Sequence, residues 1–120
     1  MSAFTGAGIS AESGIPLFRG KNGLWEKYNP EVIDIEYFKK YSGEAWATIR
    51  KIFYGFCEQA QPNIAHRSLA EMEAAGYLHS LITLNFDNLH QLAGSREVCE
   101  FHGSLRSLVC LNCSKQVLRD

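Results

Sequence analysis

The chain has 120 residues, 46% of them hydrophobic and 21% charged, with a formal net charge of −1. That length suits one domain with a real core, and the balance excludes a disordered segment. The near-neutral charge gives no electrostatic footing for nucleic acid or an anionic membrane. With no bilayer-length apolar run and no basic-then-apolar signal at Met1, the expected location is the cytoplasm.

In chain order, Ala3 to Thr5 reads as the end of a strand. It feeds a glycine-rich stretch, Gly6-Ala-Gly-Ile-Ser-Ala-Glu-Ser-Gly-Ile-Pro-Leu-Phe-Arg-Gly20. Gly6 and Gly8 have no Cβ, so backbone N–H groups there can close on a pyrophosphate. The same pair also suits a plain tight turn, and the third glycine of the ordinary dinucleotide fingerprint is missing. Ser10 to Ser13 predicts a short helix, stopped by Gly14 and Pro16. Gly20 to Gly23 is a turn cluster. Leu24 to Tyr41 carries Trp25, Tyr28, Tyr37 and Phe38, read as core aromatics. Glu44 to Ala60 predicts the clearest helix, with Trp46, Ile49, Ile52, Phe53 and Phe56 inward. Gln61-Pro-Asn63 ends it. Ala65 to Ala75 predicts a second helix, with Leu69 and Met72 inward and Gly76 as its cap.

Leu81 to Leu84 predicts a strand buried on both faces. Asn85 and Asp87 follow at its carboxyl end, where open α/β sheets hold ligands. Asp87 also suits the N-cap of a short helix from Asn88 to Ala93, closed by Gly94. Glu97 to Phe101 and Leu105 to Val109 predict further strands. The succession is that of an α/β chain with an open sheet.

His102, in Glu100-Phe-His-Gly-Ser104, is the candidate base, because imidazole exchanges its proton nearest neutral pH. Gly103 beside it lets another chain approach closely. His79 is expected at the surface, and His66 and His90 in structural positions. Without a secretory signal the cysteines are thiols or metal ligands sooner than disulfides. Cys110 and Cys113 have the spacing of half a zinc knuckle, equally that of a redox pair. Cys57 and Cys99 are read as core.

The glycine stretch, Thr83-Leu-Asn-Phe-Asp-Asn-Leu-His90 and Glu100 to Ser104, in that order, resemble the sirtuin family of NAD-dependent protein-lysine deacylases, most of all its bacterial and archaeal members. The similarity runs from about Thr5 to Cys113. It implies a Rossmann-like open parallel sheet (about 1–20 and 77–106), a cofactor loop with helical small-domain part (about 21–76), and the start of a zinc module (about 107–120). It assigns cofactor contacts to Gly6, Ala7, Gly8, Ser10, Glu12, Ser13, Phe18 and Arg19, together with Asn85, Asp87 and His102. Phe18 would lie by the nicotinamide, Arg19 near the phosphates, and Asp87 on the carboxamide. Catalytic roles fall to His102, as base on a ribose hydroxyl, and Asn85. The partner implied is an acyl-lysine protein or peptide, and the products are free lysine, nicotinamide and O-acyl-ADP-ribose. A structural zinc would take Cys110, Cys113 and a second pair downstream.

One residue departs from the family pattern. Leu84 stands where sirtuins typically carry a Gln that reaches the ribose hydroxyls, and losing such a partner costs about 1–3 kcal/mol when a polar group stays buried. The Tyr-x-x-Arg pair of sirtuins that remove acidic acyl groups is also missing, since Tyr54 is followed by Cys57. Acetyl or longer apolar acyl groups are therefore expected. The chain is expected to stop partway through such a protein and to be poorly active by itself. The alternatives are a non-catalytic NAD or ADP-ribose binding module, marked by Leu84, and a protein ADP-ribosyltransferase.

Overall fold

The computed structural model describes residues 1–119. Three short strands, β1 (Ser2–Thr5), β2 (Ser80–Thr83) and β3 (Val98–Glu100), form a parallel sheet in the order β1-β2-β3. The register sets Phe4 beside Ile82 and Cys99, and Thr5 beside Thr83 and Glu100. The open parallel sheet is as predicted, though β3 is shorter than the expected Glu97 to Phe101.

The glycine stretch forms a 3-10 helix at Ala7–Ser13, so it begins earlier than Ser10. Gly6 is its N-cap, with an extended backbone (φ −143°), and Gly8 has no positive φ either. Backbone conformation therefore does not require glycine at these two positions. Gly14 (φ 88°) does need the left-handed conformation, and it ends the helix.

The helical part lies between β1 and β2. It opens with α1 (Leu24–Lys27), a 3-10 turn at Pro30–Ile33 and α2 (Ile35–Lys40). Asn29 and Asp34 cap the last two, with side-chain oxygens accepting N–H bonds from Glu31 and from Glu36 and Tyr37. The helix predicted over Glu44 to Ala60 is three pieces: α3 (Ser42–Ile49), a π turn at Arg50–Tyr54 and α4 (Gly55–Cys57). The π turn inserts an i→i+5 step that shifts the phase of everything after it. Tyr54 is buried beside Ile52 and Phe53 as a result and Phe56 (39% exposed) leaves the expected inward stripe; Trp46 (40%), ahead of the turn, leaves it as well.

A capping box at Asn63 and His66 starts α5 (Ile64–Ala74). Gly76 (φ 81°) follows it as expected. His66 and Ala70 are its buried residues, with Leu69 and Met72 only half-buried. After β2 comes α6 (Leu89–Leu92), closed by Gly94 (φ 109°). The chain then makes an antiparallel hairpin, β4 (Ser107–Val109) with β5 (Gln116–Leu118). No strand was expected at β5, whose three residues are all exposed and so carry no in–out alternation.

The main core joins Leu24, Val32, Ile52 and Phe53, with Phe18, Trp25, Tyr28 and Tyr37 packed against it. Of the aromatic segment, Trp25, Tyr28 and Tyr37 line this core half-buried, and Phe38 stands outside it. Each such aliphatic side chain contributes roughly 1.5–3 kcal/mol when fully buried. Cys99 is exposed, contrary to its assignment as core. It shares a sheet row with half-buried Ile82 and with Phe4, 68% exposed, and the described residues lay no complete layer over that face. Among the described residues no helix is long and apolar enough to cross a membrane.

Candidate active site

The carboxyl ends of β1 and β2 deliver two loops side by side: the 3-10 helix from Gly6 and the Asn85–Asp87 segment. Their polar side chains meet at Ser10, which is 1% exposed. Ser10 Oγ donates to Asp87 Oδ2 at 2.6 Å and accepts from Asn85 Nδ2 at 3.2 Å. Asn85 Nδ2 also donates to the Gly6 carbonyl at 3.0 Å. The other Asp87 oxygen accepts the Leu89 N–H at 3.0 Å, although the N-cap of α6 is Asn88, in the left-handed conformation, and not Asp87 as expected.

A second layer fixes this group. Asn63 Nδ2 donates to the Ile9 carbonyl (2.7 Å) and to Ser13 Oγ (3.0 Å), tying the start of α5 to the glycine helix. The Asn63 N–H donates to His66 Nδ1 (3.3 Å), which leaves the His66 proton on Nε2, 3.4 Å from Ser10 Oγ. Burial lowers the His66 pKa, against the opposing pull of Asp87. His90 stacks edge-on to His66 with ring centroids 4.9 Å apart, and its Nε2 bonds Thr5 Oγ1 at 2.9 Å. Burial and His66 push the His90 pKa down to about 4. Both rings are therefore neutral spacers at pH 7, in keeping with the structural role expected of them.

Two hollows lie against this network. An inner cavity of about 30 Å³ is bounded by Ser10, Asn85 and Asp87 on its polar side and by Pro16, Phe18 and Ile52 on its apolar side. In front of it a cleft of about 680 Å³ exposes Arg19, Leu84, Asn85 and His102 along with Phe53 and Phe86. Phe18 stacks on Trp25 (5.5 Å between ring centroids) and Phe86 meets Phe53 edge-on (5.1 Å), so the shared wall is interlocked aromatic surface. A Cβ placed on Gly6 or Gly8 would meet no heavy atom within 4 Å. The space beside the turn is open, as a backbone phosphate cradle requires.

Most of the residues singled out from sequence thus converge: Ala7, Ser10, Phe18, Arg19, Asn85, Asp87 and His102 all line one hollow or the other. Two do not. Ser13 is engaged by Asn63, and Glu12 is exposed away from both hollows. Sequence reasoning missed Asn63, Phe53 and Phe86. Asn63 had a visible signal in the Asn-x-x-His spacing ahead of α5, whereas Phe53 was read as inward-facing core and not as part of a site. Cys57 is half-buried on the cavity wall, with its thiol pushed up to about 12 by burial and the nearby Asp87.

Cys110 and Cys113 sit exposed on the turn of the β4–β5 hairpin. The backbone N–H groups of Cys113 and Asn112 hold the Cys110 thiol below its usual range, which suits a thiolate donor. Among the described residues no three His, Cys, Asp or Glu side chains gather as a metal site.

Comparison with known proteins places these features in a family. The model of the Sir2 family matches residues 6–120. An NAD-dependent protein deacetylase of Sulfurisphaera tokodaii is 56% identical over 113 residues, covering 94% of this chain and 45% of that protein. A solved Sir2 homologue–NAD complex superposes with a TM-score of 0.88 at 46% identity, over 98% of this chain and 46% of the other. A Sir2 complex with deacetylated p53 peptide and 3′-O-acetyl ADP ribose gives a TM-score of 0.90 at 41% identity, over 98% and 47%. The chain spans under half the length of the curated relatives it matches.

Proposed function

The chain belongs to the Sir2 family, and on that premise we propose that it carries the catalytic and nicotinamide-facing part of an NAD-dependent protein-lysine deacylase. The observation that carries the reading is the junction of the two hollows. A hydrogen-bonded Ser10–Asn85–Asp87 group opens on one side, and an exposed imidazole and guanidinium, His102 and Arg19, open on the other. The NAD- and peptide-bound relatives support the same assignment of ligands.

NAD would supply a ribose C1′ electrophile and nicotinamide as leaving group. The open space beside Gly6 and Gly8 would take its phosphates, with Arg19 as counter-charge. Asp87 would accept the carboxamide N–H, while Asn85, whose amide nitrogen holds Ser10 and the Gly6 carbonyl, would keep that group in place. The aromatic wall of Phe18, Phe53 and Phe86 excludes water from the reacting bond. An imidazole nitrogen of His102 would take the proton of a ribose hydroxyl, and the acyl-lysine would enter the apolar cleft beside it. Leu84 lines that cleft where a ribose-binding Gln would stand, so it supplies packing and no hydrogen bond.

By the same reading, residues of about 1–20 and 77–106 are the Rossmann-like part, about 21–76 the cofactor loop and helical small-domain part, and about 107–120 the start of a zinc module. Cys110 and Cys113 would give a structural zinc two of the four thiolates it needs. The location proposed is the cytoplasm. A dinucleotide on a doubly wound sheet spans two halves, so the chain by itself is expected to turn over poorly.

The test is deacylation of an acetyl-lysine peptide by this chain joined to the part of the Sulfurisphaera tokodaii relative beyond the matched segment. NAD-dependent turnover that falls at least 100-fold in His102→Ala supports the assignment. Turnover that survives the substitution removes His102 from the mechanism. Leu84 favours one second reading, a binding module that holds NAD without cleaving it; tight NAD binding with no nicotinamide release would establish that instead.

A further inference from the structure

We propose that Arg106 is a positioning residue for His102, clamping from both ends the loop that presents the imidazole to the cleft. The role given to His102 rests on the deacylase reading above; the clamp rests on the contacts around the loop.

His102 depends on its loop because its ring has little else to hold it. The imidazole is exposed, has no hydrogen-bond partner among the described residues, and meets Phe101 edge-on at 5.0 Å, a side chain that is itself 67% exposed. A base without a bonded ring keeps its aim only as well as its backbone does. That backbone is a turn. Gly103 takes a left-handed φ of 90°, and its N–H donates to the Glu100 carbonyl at 3.1 Å. Past the turn, the Leu105 N–H reaches the Phe86 carbonyl at a long 3.3 Å.

Arg106 gathers the two ends of this turn. Its backbone N–H and its Nε both donate to Ser104 Oγ, at 3.1 and 3.4 Å. Its Nη2 lies 3.7 Å from Glu100 Oε2, on the residue where β3 ends. Its carbonyl accepts the Arg119 N–H at 2.7 Å. The Arg119 guanidinium in turn pairs with Glu58 and lies 4.1 Å from the centre of the Tyr54 ring. The loop is thus fastened to the sheet on one side and, through the β4–β5 hairpin, to the helical part on the other.

Glu100 keeps the clamp closed. Its side chain is 15% exposed, its counter-charge among the described residues is Arg106, and its Oε1 is buried there without a partner. A carboxylate so enclosed is costly to leave unmatched, so the Arg106 side chain is drawn across the loop. With the arginine half-exposed the pair adds little to global stability. Its effect is local, on the place of the loop.

The test uses this chain joined to the remaining part of the Sulfurisphaera tokodaii relative. Arg106→Ala is expected to lower kcat for an acetyl-lysine peptide about tenfold or more, with KM for NAD and for peptide held within about twofold. Amide exchange at Gly103 is expected to speed by a similar factor, while the amides of β2 keep their protection. Arg106→Lys, which can still meet Glu100, is expected to recover part of kcat. In a Glu100→Gln background Arg106→Ala is expected to cost less than it does alone. An unchanged kcat, or a loss that lysine does not recover, overturns the proposal and leaves the deacylase reading standing. Faster exchange throughout the protein, or a raised KM with kcat kept, also overturns it, since Arg106 would then serve the fold or the binding of ligand. If the unmodified joined protein shows no turnover, the deacylase reading fails and Gly103 exchange decides. Faster exchange there in Arg106→Ala upholds the clamp, and no change overturns it.

Discussion

Ser10 is the residue on which the polar site turns, because one hydroxyl serves as acceptor for Asn85 and donor to Asp87. Ser10→Ala leaves Asp87 Oδ2 without that donor inside the protein. The expected cost is about 1–3 kcal/mol, read as a lower urea midpoint with an unaltered m-value. His90 makes a prediction about pH. Its folded pKa, about 4, lies below the ordinary 6.5, so the unfolded chain binds the extra proton between those values. Stability from this group is fully present above about pH 6.5 and is lost as pH falls toward 4. Urea titrations at pH 7 and pH 4.5 should show that loss, and a His90→Gln variant that folds should show a smaller one. Leu84 gives the third. On the proposed reading, Leu84→Gln would give the ribose a hydrogen bond worth about 1.4 kcal/mol, and is expected to raise nicotinamide release about tenfold in a protein that turns over. No gain would mean that the ribose is held in another way.

Elements explain what the sequence showed and what it hid. Strands β1 and β2 and helices α5 and α6 were legible because each has local punctuation: Gly6, Asn63, Gly76 and Gly94. The π turn at Arg50–Tyr54 was not, because an uninterrupted helical period fits Trp46, Ile49, Phe53 and Phe56 equally well. One inserted residue decides whether Tyr54 or Phe56 joins Ile52 and Phe53 inward. The contrast is measurable. Ile52→Ala is expected to cost about 2–5 kcal/mol as a fully buried side chain, and Phe56→Ala clearly less. Equal costs would favour the unshifted helix. The α5 cap is also more than a local stop signal. Asn63→Ala should cost about 1 kcal/mol for the cap and more for the freed Ile9 carbonyl and Ser13 hydroxyl. A loss confined to α5, with the glycine helix unaffected in hydrogen exchange, would contradict that coupling.

Across the molecule, the site was legible wherever chemistry and backbone coincide: the glycine helix, Asn85, Asp87 and His102 follow one another at strand ends. Its dimensions were not, since the inner cavity and the front cleft are bounded by residues as far apart in the chain as Ala7 and Leu105, which only the fold brings together. Cys99 shows the same limit from the other side. Strand alternation places it on a face, but whether that face is covered depends on the layers around it. The central claim is that this arrangement cleaves NAD only when an acyl-lysine is present. Its most direct test is nicotinamide release from NAD, with and without an acetyl-lysine peptide, by this chain alone and joined to the remaining part of the Sulfurisphaera tokodaii relative. Peptide-dependent release from the joined protein, with little from the chain alone, is the predicted result. Release that ignores the peptide, or none from either despite measurable NAD binding, would contradict it.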